Sequence, residues 1–251
     1  MRATVVLTPP MSKRLIAKGV AAMPPVRSAL DRGRVVITLG TTNAYVAEEL
    51  LGTPIDRGAF AAGFVDDRWN INMRLGESPE IVIDQGTRMD PPPEDALSTL
   101  RAGDVVIKGG NALDPEGVVG VLLGSPTGGT VGRYVAACLA RGVELIVPIG
   151  LAKSVHSSII DLSQEMGSGR IDLRMGLPCG IYPLHGRVMS EIEAMETLFP
   201  VCTQHVTSGG IGIGAAAVSL LIEGEDEAVR DAFELVESLR NEDDVDLAGR
   251  S

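Results

Sequence analysis

The chain contains few basic residues, and this scarcity limits what it can bind. Of 251 residues, 22 are Lys or Arg and 33 are Asp or Glu, which gives a formal net charge of −11. Binding to a nucleic-acid backbone or to an anionic lipid surface requires clustered Lys and Arg. Aromatic residues make up only 3% of the chain, which disfavours a base-stacking surface. The composition argues against nucleic-acid and membrane partners.

Cysteines and long apolar segments are also sparse. The three cysteines, Cys138, Cys179 and Cys202, cannot all pair within one chain, which indicates reduced thiols. The apolar N-terminal stretch is too short for the core of a signal peptide, and Pro9 and Pro10 interrupt it. No segment reaches the roughly 20 consecutive apolar residues of a membrane helix. We therefore predict a cytoplasmic protein.

Hydrophobic residues make up 45% of the chain, and their order predicts an α/β fold. The predicted strands cover residues 34–39, 80–84, 104–108, 117–123 and 144–148, and the predicted helices cover 12–22, 26–32, 44–51, 94–100 and 131–141. The strand at 34–39 is apolar on both faces, as in a parallel strand covered by helices. We predict an open, mostly parallel, Rossmann-like sheet flanked by helices, in a domain of residues 1–175.

The C-terminal part of the sequence has a different order of elements. Residues 186–241 follow the order strand, helix, strand, strand, helix, and Ser190 with Glu193 predicts a capping box at the first helix. This order is that of half a ferredoxin-like sandwich, so we predict a smaller ferredoxin-like α+β domain over residues 176–251. The acidic tail at 242–244 is expected to fray. An uncovered sheet edge in this small domain predicts a homo-oligomer.

Two loops between a predicted strand and a predicted helix are rich in glycine and hydroxyl groups. They are residues 40–43 (GTTN) and 124–130 (GSPTGGT). In an open α/β sheet, ligands bind beyond the carboxyl ends of the strands, where the next helix offers unpaired N–H groups and a positive dipole. The residues predicted to bind an anionic ligand are Gly40, Thr41, Thr42, Asn43, Ser125, Thr127, Gly128, Gly129 and Thr130. The alternative is that the hydroxyl groups only cap helices and the glycines only form turns.

Cofactor and metal motifs are weak. The loop at 124–130 has no Lys before its last Thr, so it is not a Walker A loop. The run 210–215 (GIGIGA) fits a loose dinucleotide pattern, but the segment after it favours a strand over the long helix that this pattern requires. The residues Cys179, His185, Cys202 and His205 lack the paired spacing of a zinc site. We predict no cofactor and no metal.

A third loop follows the predicted strand at 104–108 and supplies the candidate catalytic residues. Lys108 ends this apolar strand beside two glycines, so its ammonium group can meet an anion at the sheet edge. We predict that Lys108 polarises or deprotonates the ligand and that Asn111 and Asp114 orient it. Asp114 precedes a proline, and a simple role in a turn is the alternative. Lys153 also follows a strand, where it is either a base or nucleophile of lowered pKa or a solvated surface residue.

Residues 104–115 (DVVIKGGNALDP) resemble the part of ribose-5-phosphate isomerases in which a strand is followed by D-G-A-D-E-x-D-P, and residues 37–44 are similar to the phosphate loop of sugar-phosphate isomerases. The resemblance implies a distant place in the superfamily of sugar-phosphate isomerases and CoA transferases, with a small phosphorylated or carboxylated metabolite as ligand. The catalytic acids are not retained, because Lys108, Asn111 and Ala112 stand in their place. An Asn side chain cannot move a proton between neighbouring carbons.

Two functions are consistent with these patterns. The first is an enzyme, an isomerase or a lyase of the sugar-phosphate type, in which the two loops hold the anion and Lys108 acts on the ligand. The second is a non-catalytic ligand-binding or regulatory module of the same superfamily, which kept the pocket and lost the proton-transfer acids. Turnover of a metabolite distinguishes the two.

Overall fold

The computed structural model describes residues 1–66, 69–70, 78–94 and 96–246. Its helices and strands, in chain order, are β1 (Arg2–Leu7), α1 (Pro9–Ala22), α2 (Pro24–Arg32), β2 (Arg34–Ile37), α3 (Thr41–Leu51), β3 (Ile81–Asp84), β4 (Thr87–Met89), β5 (Val105–Ile107), β6 (Ala112–Leu113), β7 (Val119–Leu123), α4 (Gly129–Arg141), β8 (Glu144–Pro148), α5 (Ile159–Glu165), β9 (Gly180–Leu184), β10 (Arg187–Met189), α6 (Glu191–Leu198), β11 (Val201–Gly209), β12 (Ala217–Gly224) and α7 (Asp226–Ser238). Among the described residues, no helix combines the length and the apolar character needed to span a membrane.

Six strands form the central sheet, in the order β10-β8-β5-β2-β3-β4. The first four are parallel to one another, whereas β3 and β4 are antiparallel to their neighbours. Val35, Val36 and Ile37 are consecutive and fully buried. Because successive side chains of a strand point to opposite faces, both faces of β2 are covered. The mixed, mostly parallel sheet with flanking helices confirms the α/β class.

The strand predicted at 117–123 belongs to a separate antiparallel sheet, β6-β7-β9, and not to the parallel sheet. Strand β9 pairs with β7 along its whole length, from Val119 opposite Leu184 to Leu123 opposite Gly180. Gly120 allows close packing at the centre of this sheet, because a Cβ there would lie 2.6 Å from the Cδ1 of Ile181. The contacts with β9 determine the antiparallel direction of β7. An apolar strand pattern in the sequence does not specify this direction.

The prediction of a helix at 94–100 is wrong for the residues of that segment that the structure describes. Residues 94 and 96–99 form turns, with hydrogen bonds from Ala96 N to Pro93 O and from Leu100 N to Leu97 O. Ala96 and Leu100 are buried in the core. The segment therefore buries its apolar side chains through short turns instead of a regular helix.

The ferredoxin-like domain predicted for the C-terminal part is not confirmed. Strand β10 joins the central sheet, where Val188 pairs with Val147. The third sheet, β1-β12-β11, takes the edge strand β1 from the N-terminus. Helix α6 packs so closely on α1 that a Cβ at Gly19 would lie 2.7 Å from the Cα of Ala194. The N-terminal and C-terminal segments thus share a sheet and a helix interface.

The acidic tail is anchored through residues 242 and 243, so the expectation that it frays is wrong. Glu242 lies 3.0 Å from a guanidinium nitrogen of Arg14 and 2.9 Å from one of Arg57. The Tyr45 hydroxyl donates to the backbone carbonyl of Asp243 at 2.6 Å. Largely buried guanidinium groups require carboxylate partners, and the tail supplies one of them.

Candidate functional site

The loop between β2 and α3 brings polar groups to the carboxyl edge of the central sheet. Gly40 precedes α3 with a φ of 156°, in the region that favours glycine, and no side chain caps this helix. The helix-capping alternative is therefore wrong for this loop. The Asn43 side chain instead donates to the carbonyl of Thr38 at 2.8 Å, and its Oδ1 is buried without a hydrogen-bond partner among the described residues.

The loop between β7 and α4 has a similar construction. Gly128 precedes α4 in the left-handed conformation, with a φ of 75°, and no side chain caps the helix. Backbone N–H groups of the first helical turn are therefore available to a ligand. Ser125 and Thr130 line the adjoining cavity, whereas Thr127 is exposed and its hydroxyl lies 3.1 Å from that of Ser125. Four of the five residues predicted in this loop therefore line one cavity: Ser125, Gly128, Gly129 and Thr130.

Two adjoining cavities connect the two loops. The first cavity, of about 270 Å³, is lined among others by Ser125, Gly128, Gly129, Thr130, Lys108 and Asn111. The second cavity, of about 40 Å³, is lined among others by Gly40, Thr41, Thr42, Asn43, Lys108 and Asn111. The Nζ of Lys108 donates to the carbonyl of Gly109 at 2.8 Å. Lys108 therefore lies where the two predicted loops meet.

A third cavity, of about 520 Å³, continues from the second, with which it shares Thr41, Thr42 and Lys153. Side chains from distant parts of the chain complete its lining: Ser12 and Lys13 of α1, Glu191 of α6, and Asp244 of the C-terminal tail. Glu191 is fully buried, and its carboxylate accepts hydrogen bonds from the Ser12 hydroxyl and from the N–H of Leu151. We call the three cavities together the groove.

Lysine is rare in this chain, and it is concentrated in the groove. Of four lysines in the sequence, Lys13, Lys108 and Lys153 line the groove, whereas Lys18 pairs with Glu49. The Nζ of Lys153 donates to the carbonyl of Gly110 at 2.7 Å, and the Nζ of Lys108 donates to the carbonyl of the preceding residue, Gly109. Two ammonium groups therefore bind neighbouring carbonyls of one loop in a chain of net charge −11.

Burial lowers the pKa of both central lysines, and repulsion from another lysine adds to the shift in each. The pKa of Lys108 falls to about 8, first because of burial and second because Lys153 repels it, while Glu80 acts in the opposite direction. The pKa of Lys153 also falls to about 8, through burial and then repulsion from Lys13, against the attraction of Glu191. At pH 7 about one in ten such side chains is neutral, against fewer than about one in a thousand ordinary lysines. Each lysine can therefore act either as a cation or as a base.

The other two predicted catalytic residues are placed differently. The buried carboxylate of Asp114 accepts hydrogen bonds from three backbone N–H groups and does not line the groove, which matches the turn alternative. Asn111 lines all three cavities. Its side chain also holds neighbouring backbone, because Nδ2 donates to the carbonyl of Gly63 at 2.7 Å and Oδ1 accepts from the N–H of Leu122 at 3.0 Å. Lys108 lines two of the cavities, and its ammonium group has more N–H donors than the one that Gly109 accepts.

Sequence reasoning missed the residues at the far end of the groove, which are Ser12, Lys13, Glu191 and Asp244. They come from α1, α6 and the tail, and no local pattern connects these segments. The scarcity of lysine was a usable signal for Lys13. In an acidic chain with four lysines, each lysine is a candidate for an anion site.

The side chains that line the groove suit an anion better than a metal ion. Within the described ranges, no group of three or more His, Cys, Asp or Glu side chains could hold a metal ion. The chain matches no protein-family model, no curated protein and no solved structure. Its function is therefore inferred from the chemistry of the groove, whose lysines, hydroxyls and backbone N–H groups suit an anion.

Gly132 provides a test of the loop at 124–130. A Cβ on Gly132 would lie 2.0 Å from the carbonyl oxygen of Thr127, so Ala cannot fit unless the loop backbone moves. We expect Gly132→Ala to lower the affinity for the probe anion sulfate about tenfold in isothermal titration calorimetry. The chain should remain folded by circular dichroism, because Ala favours the helix itself. The control is Gly169→Ala, since nothing lies within 4 Å of its Cβ position; equal affinities in the two variants would contradict a role of this loop.

Proposed function

We propose that the protein binds a small phosphorylated or carboxylated metabolite in the groove. The observation that carries this proposal is the position of Lys108, which lines both cavities formed by the two helix-preceding loops. Backbone N–H groups at a helix N-terminus attract anions, and a lysine between two such loops adds a full positive charge. In a chain of net charge −11, this local positive charge attracts anions that the rest of the surface repels.

An unpaired acceptor supports a ligand that also carries hydroxyl groups. Asn43 Oδ1 is buried, belongs to a residue that lines the second cavity, and has no partner among the described residues. A buried acceptor without a donor costs free energy, and a ligand hydroxyl would supply the donor. The proposed ligand therefore places its anionic group at the loop 124–130 and a hydroxyl near Asn43. Small sugar phosphates and hydroxy acids combine these two groups.

For the reaction we propose isomerase or lyase chemistry with Lys108 as the base. The neutral amine of Lys108 takes a proton from the carbon next to the carbonyl group of the ligand, and the electron pair moves onto the carbonyl oxygen. The ammonium group of Lys153 stabilises the negative charge that develops there. In an isomerase, the remaining hydroxyl proton moves from its oxygen to the former carbonyl oxygen, Lys108 returns the carbon proton to the former carbonyl carbon, and the carbonyl group re-forms on the neighbouring carbon. In a lyase, the electron pair moves back and expels a leaving group from the next carbon.

A distant relationship to the sugar-phosphate isomerases is part of this proposal, and the composition of the groove limits it. Among the described residues that line the first two cavities, none is an acid. The base would thus be a lysine of lowered pKa instead of a carboxylate. The same observation favours a second candidate function, a non-catalytic ligand-binding or regulatory module. The carboxylate of Asp114, predicted to orient the ligand, is engaged in backbone hydrogen bonds instead.

Calorimetry and proton exchange test both candidate functions. The protein is titrated with sulfate, inorganic phosphate and ribose 5-phosphate, and is then incubated with sugar phosphates in D₂O under proton NMR. We expect at least one anion to bind with a Kd below about 1 mM, and the proton next to the carbonyl to exchange at a rate proportional to protein concentration. Binding without exchange or product would support the regulatory module, and absence of binding by every anion would refute the anion site.

A further inference from the structure

The far end of the groove contains an ion pair whose partners differ greatly in exposure. The Nζ of Lys13 lies 3.0 Å from the Oδ1 of Asp244. The Lys13 side chain is 19% exposed, whereas that of Asp244 is 60% exposed. An ion pair with a well-solvated partner contributes little to stability, because water competes for the carboxylate. A mostly buried ammonium group therefore has a partner that a ligand can replace.

The tail does not depend on Asp244 for its position. Residues 242–243 are held by two arginines and by the hydroxyl of Tyr45. Asp244 follows these anchors and lines the third cavity, where its Oδ1 also accepts from the N–H of Val245 at 2.8 Å. The tail thus holds one carboxylate beside Lys13, and release of that carboxylate leaves the anchoring contacts intact.

A second ammonium group borders the same space. Lys153 lines the third cavity together with Lys13. Burial lowers the pKa of Lys153 to about 8, and repulsion from Lys13 contributes to this shift. Two ammonium groups in a buried environment favour the binding of an anion between them, because the anion offsets their mutual repulsion. The geometry therefore provides two cationic groups for one anion.

The buried acid of this cavity does not compete strongly with such an anion. Both carboxylate oxygens of Glu191 accept hydrogen bonds, from Ser12 and from Leu151. Burial raises the pKa of Glu191, and these two hydrogen bonds act against that shift. Among the described residues that line the third cavity, Glu191 and Asp244 are the carboxylates, and Asp244 is the one that can move away.

We propose that Lys13 and Lys153 form a second anion subsite, which the carboxylate of Asp244 occupies until a ligand displaces it. The first anion subsite, at the loop 124–130, lies at the other end of the groove. The ligand therefore carries two anionic groups joined by a short chain, as a phosphorylated hydroxy acid or a sugar bisphosphate does. This inference rests on the proposed function, because it assigns the second anionic group of the same ligand.

Phosphonates of graded length test the second subsite. Methylphosphonate carries one anionic group, and the α,ω-alkanediphosphonates from ethane to pentane carry two. In titration calorimetry at pH 7, we expect at least one diphosphonate to bind about 30-fold more tightly than methylphosphonate, because the second group binds intramolecularly. Lys13→Met should reduce this advantage to about threefold or less. Asp244→Asn should raise the affinity of that diphosphonate about fivefold and leave methylphosphonate unchanged.

Two control variants make the same charge changes outside the groove. They are Lys18→Met, where the lysine pairs with Glu49, and Asp231→Asn, at an exposed position of α7; both should leave the two affinities unchanged. The inference is overturned when methylphosphonate binds but no diphosphonate binds more than about threefold tighter, or when Asp244→Asn has no effect. If methylphosphonate does not bind at all, the proposed function itself fails. Thermal denaturation checks that Lys13→Met is folded, and Asp244→Asn tests the subsite independently of that variant.

Discussion

Lys108→Met is expected to lower the affinity for sulfate about 100-fold and, at the same time, to raise the thermal stability of the protein without ligand. Lys108 lines the two cavities that connect the loops at 40–43 and 124–130, so an anion at either loop meets its ammonium group. A 100-fold loss corresponds to about 2.7 kcal/mol, within the range for removal of one partner from a buried charged contact. Met keeps the length and flexibility of the side chain and removes its charge.

The increase in stability follows from the lowered pKa of Lys108, which is about 8 against 10.5 for an ordinary lysine. The folded state binds the proton less readily than the unfolded state, so a protonated Lys108 opposes folding at every pH below about 8. This penalty disappears as the pH rises from about 8 to about 10.5. We therefore expect the Tm of Lys108→Met to exceed that of the wild type by about 3 °C at pH 7 and the two values to converge near pH 10. Circular dichroism melting curves measure both.

The affinity for sulfate should depend on pH in the same range. Sulfate remains a dianion, so the titrating groups are those of the protein, and Lys153 and Glu80 are the charged groups that act on Lys108. We expect a constant affinity up to about pH 7.5 and a fall of about tenfold per pH unit above 8 for each lysine that must be protonated. Lys18→Met serves as the control. Sulfate affinity in Lys108→Met within about threefold of the wild type would contradict the assignment of Lys108.

The two loops of the groove could be predicted because each is a local feature. Glycine and hydroxyl residues follow an apolar strand at 40–43 and at 124–130, and such loops lie at the carboxyl ends of strands. The second loop does not follow a strand of the parallel sheet, as predicted, because β7 belongs to the antiparallel sheet. A Cβ at Gly110 would lie 2.2 Å from the Cγ1 of Val119. The segment that follows β5 therefore packs closely against β7, and this packing brings the loops together. No sequence pattern predicts this contact.

The third cavity could not be predicted, because its parts meet only through long-range pairing. Strand β1 pairs with β12, so that Val5 lies opposite Leu220, and α1 packs against α6 at Gly19 and Ala194. These contacts place Lys13 and Glu191 around one space. A strand or helix pattern gives the period of its own side chains but does not name the partner. The predicted division into consecutive domains, at 1–175 and 176–251, places these segments in different domains.

Glu48→Gln is expected to destabilise the folded protein by about 3 kcal/mol. Its Oε2 lies 2.5 Å from a nitrogen of Arg14 and 2.8 Å from a nitrogen of Arg57, and the three side chains are 8%, 12% and 16% exposed. Removal of one partner from a buried ion pair costs about 3–5 kcal/mol, because the remaining charges stay buried. Glu242 still pairs with both arginines, so we expect the lower end of that range. Urea denaturation at pH 7 measures the free energy of unfolding, and the Tm should fall by about 6–12 °C.

The pH dependence distinguishes the loss of an ion pair from a change in packing. Burial alone would raise the pKa of Glu48, but hydrogen bonds from Arg57 and Arg14 prevail and lower it. Stabilisation by Glu48 is therefore complete above the unfolded value of about 4.5 and is lost as the pH falls through the lower folded value, so the two proteins should converge in acid. Glu237→Gln, which removes a surface pair with Arg240, should cause no measurable change. Equal stability of Glu48→Gln and the wild type at pH 7 would mean that solvent screens these charges, and the tail would then need other contacts to hold Asp244 in the groove.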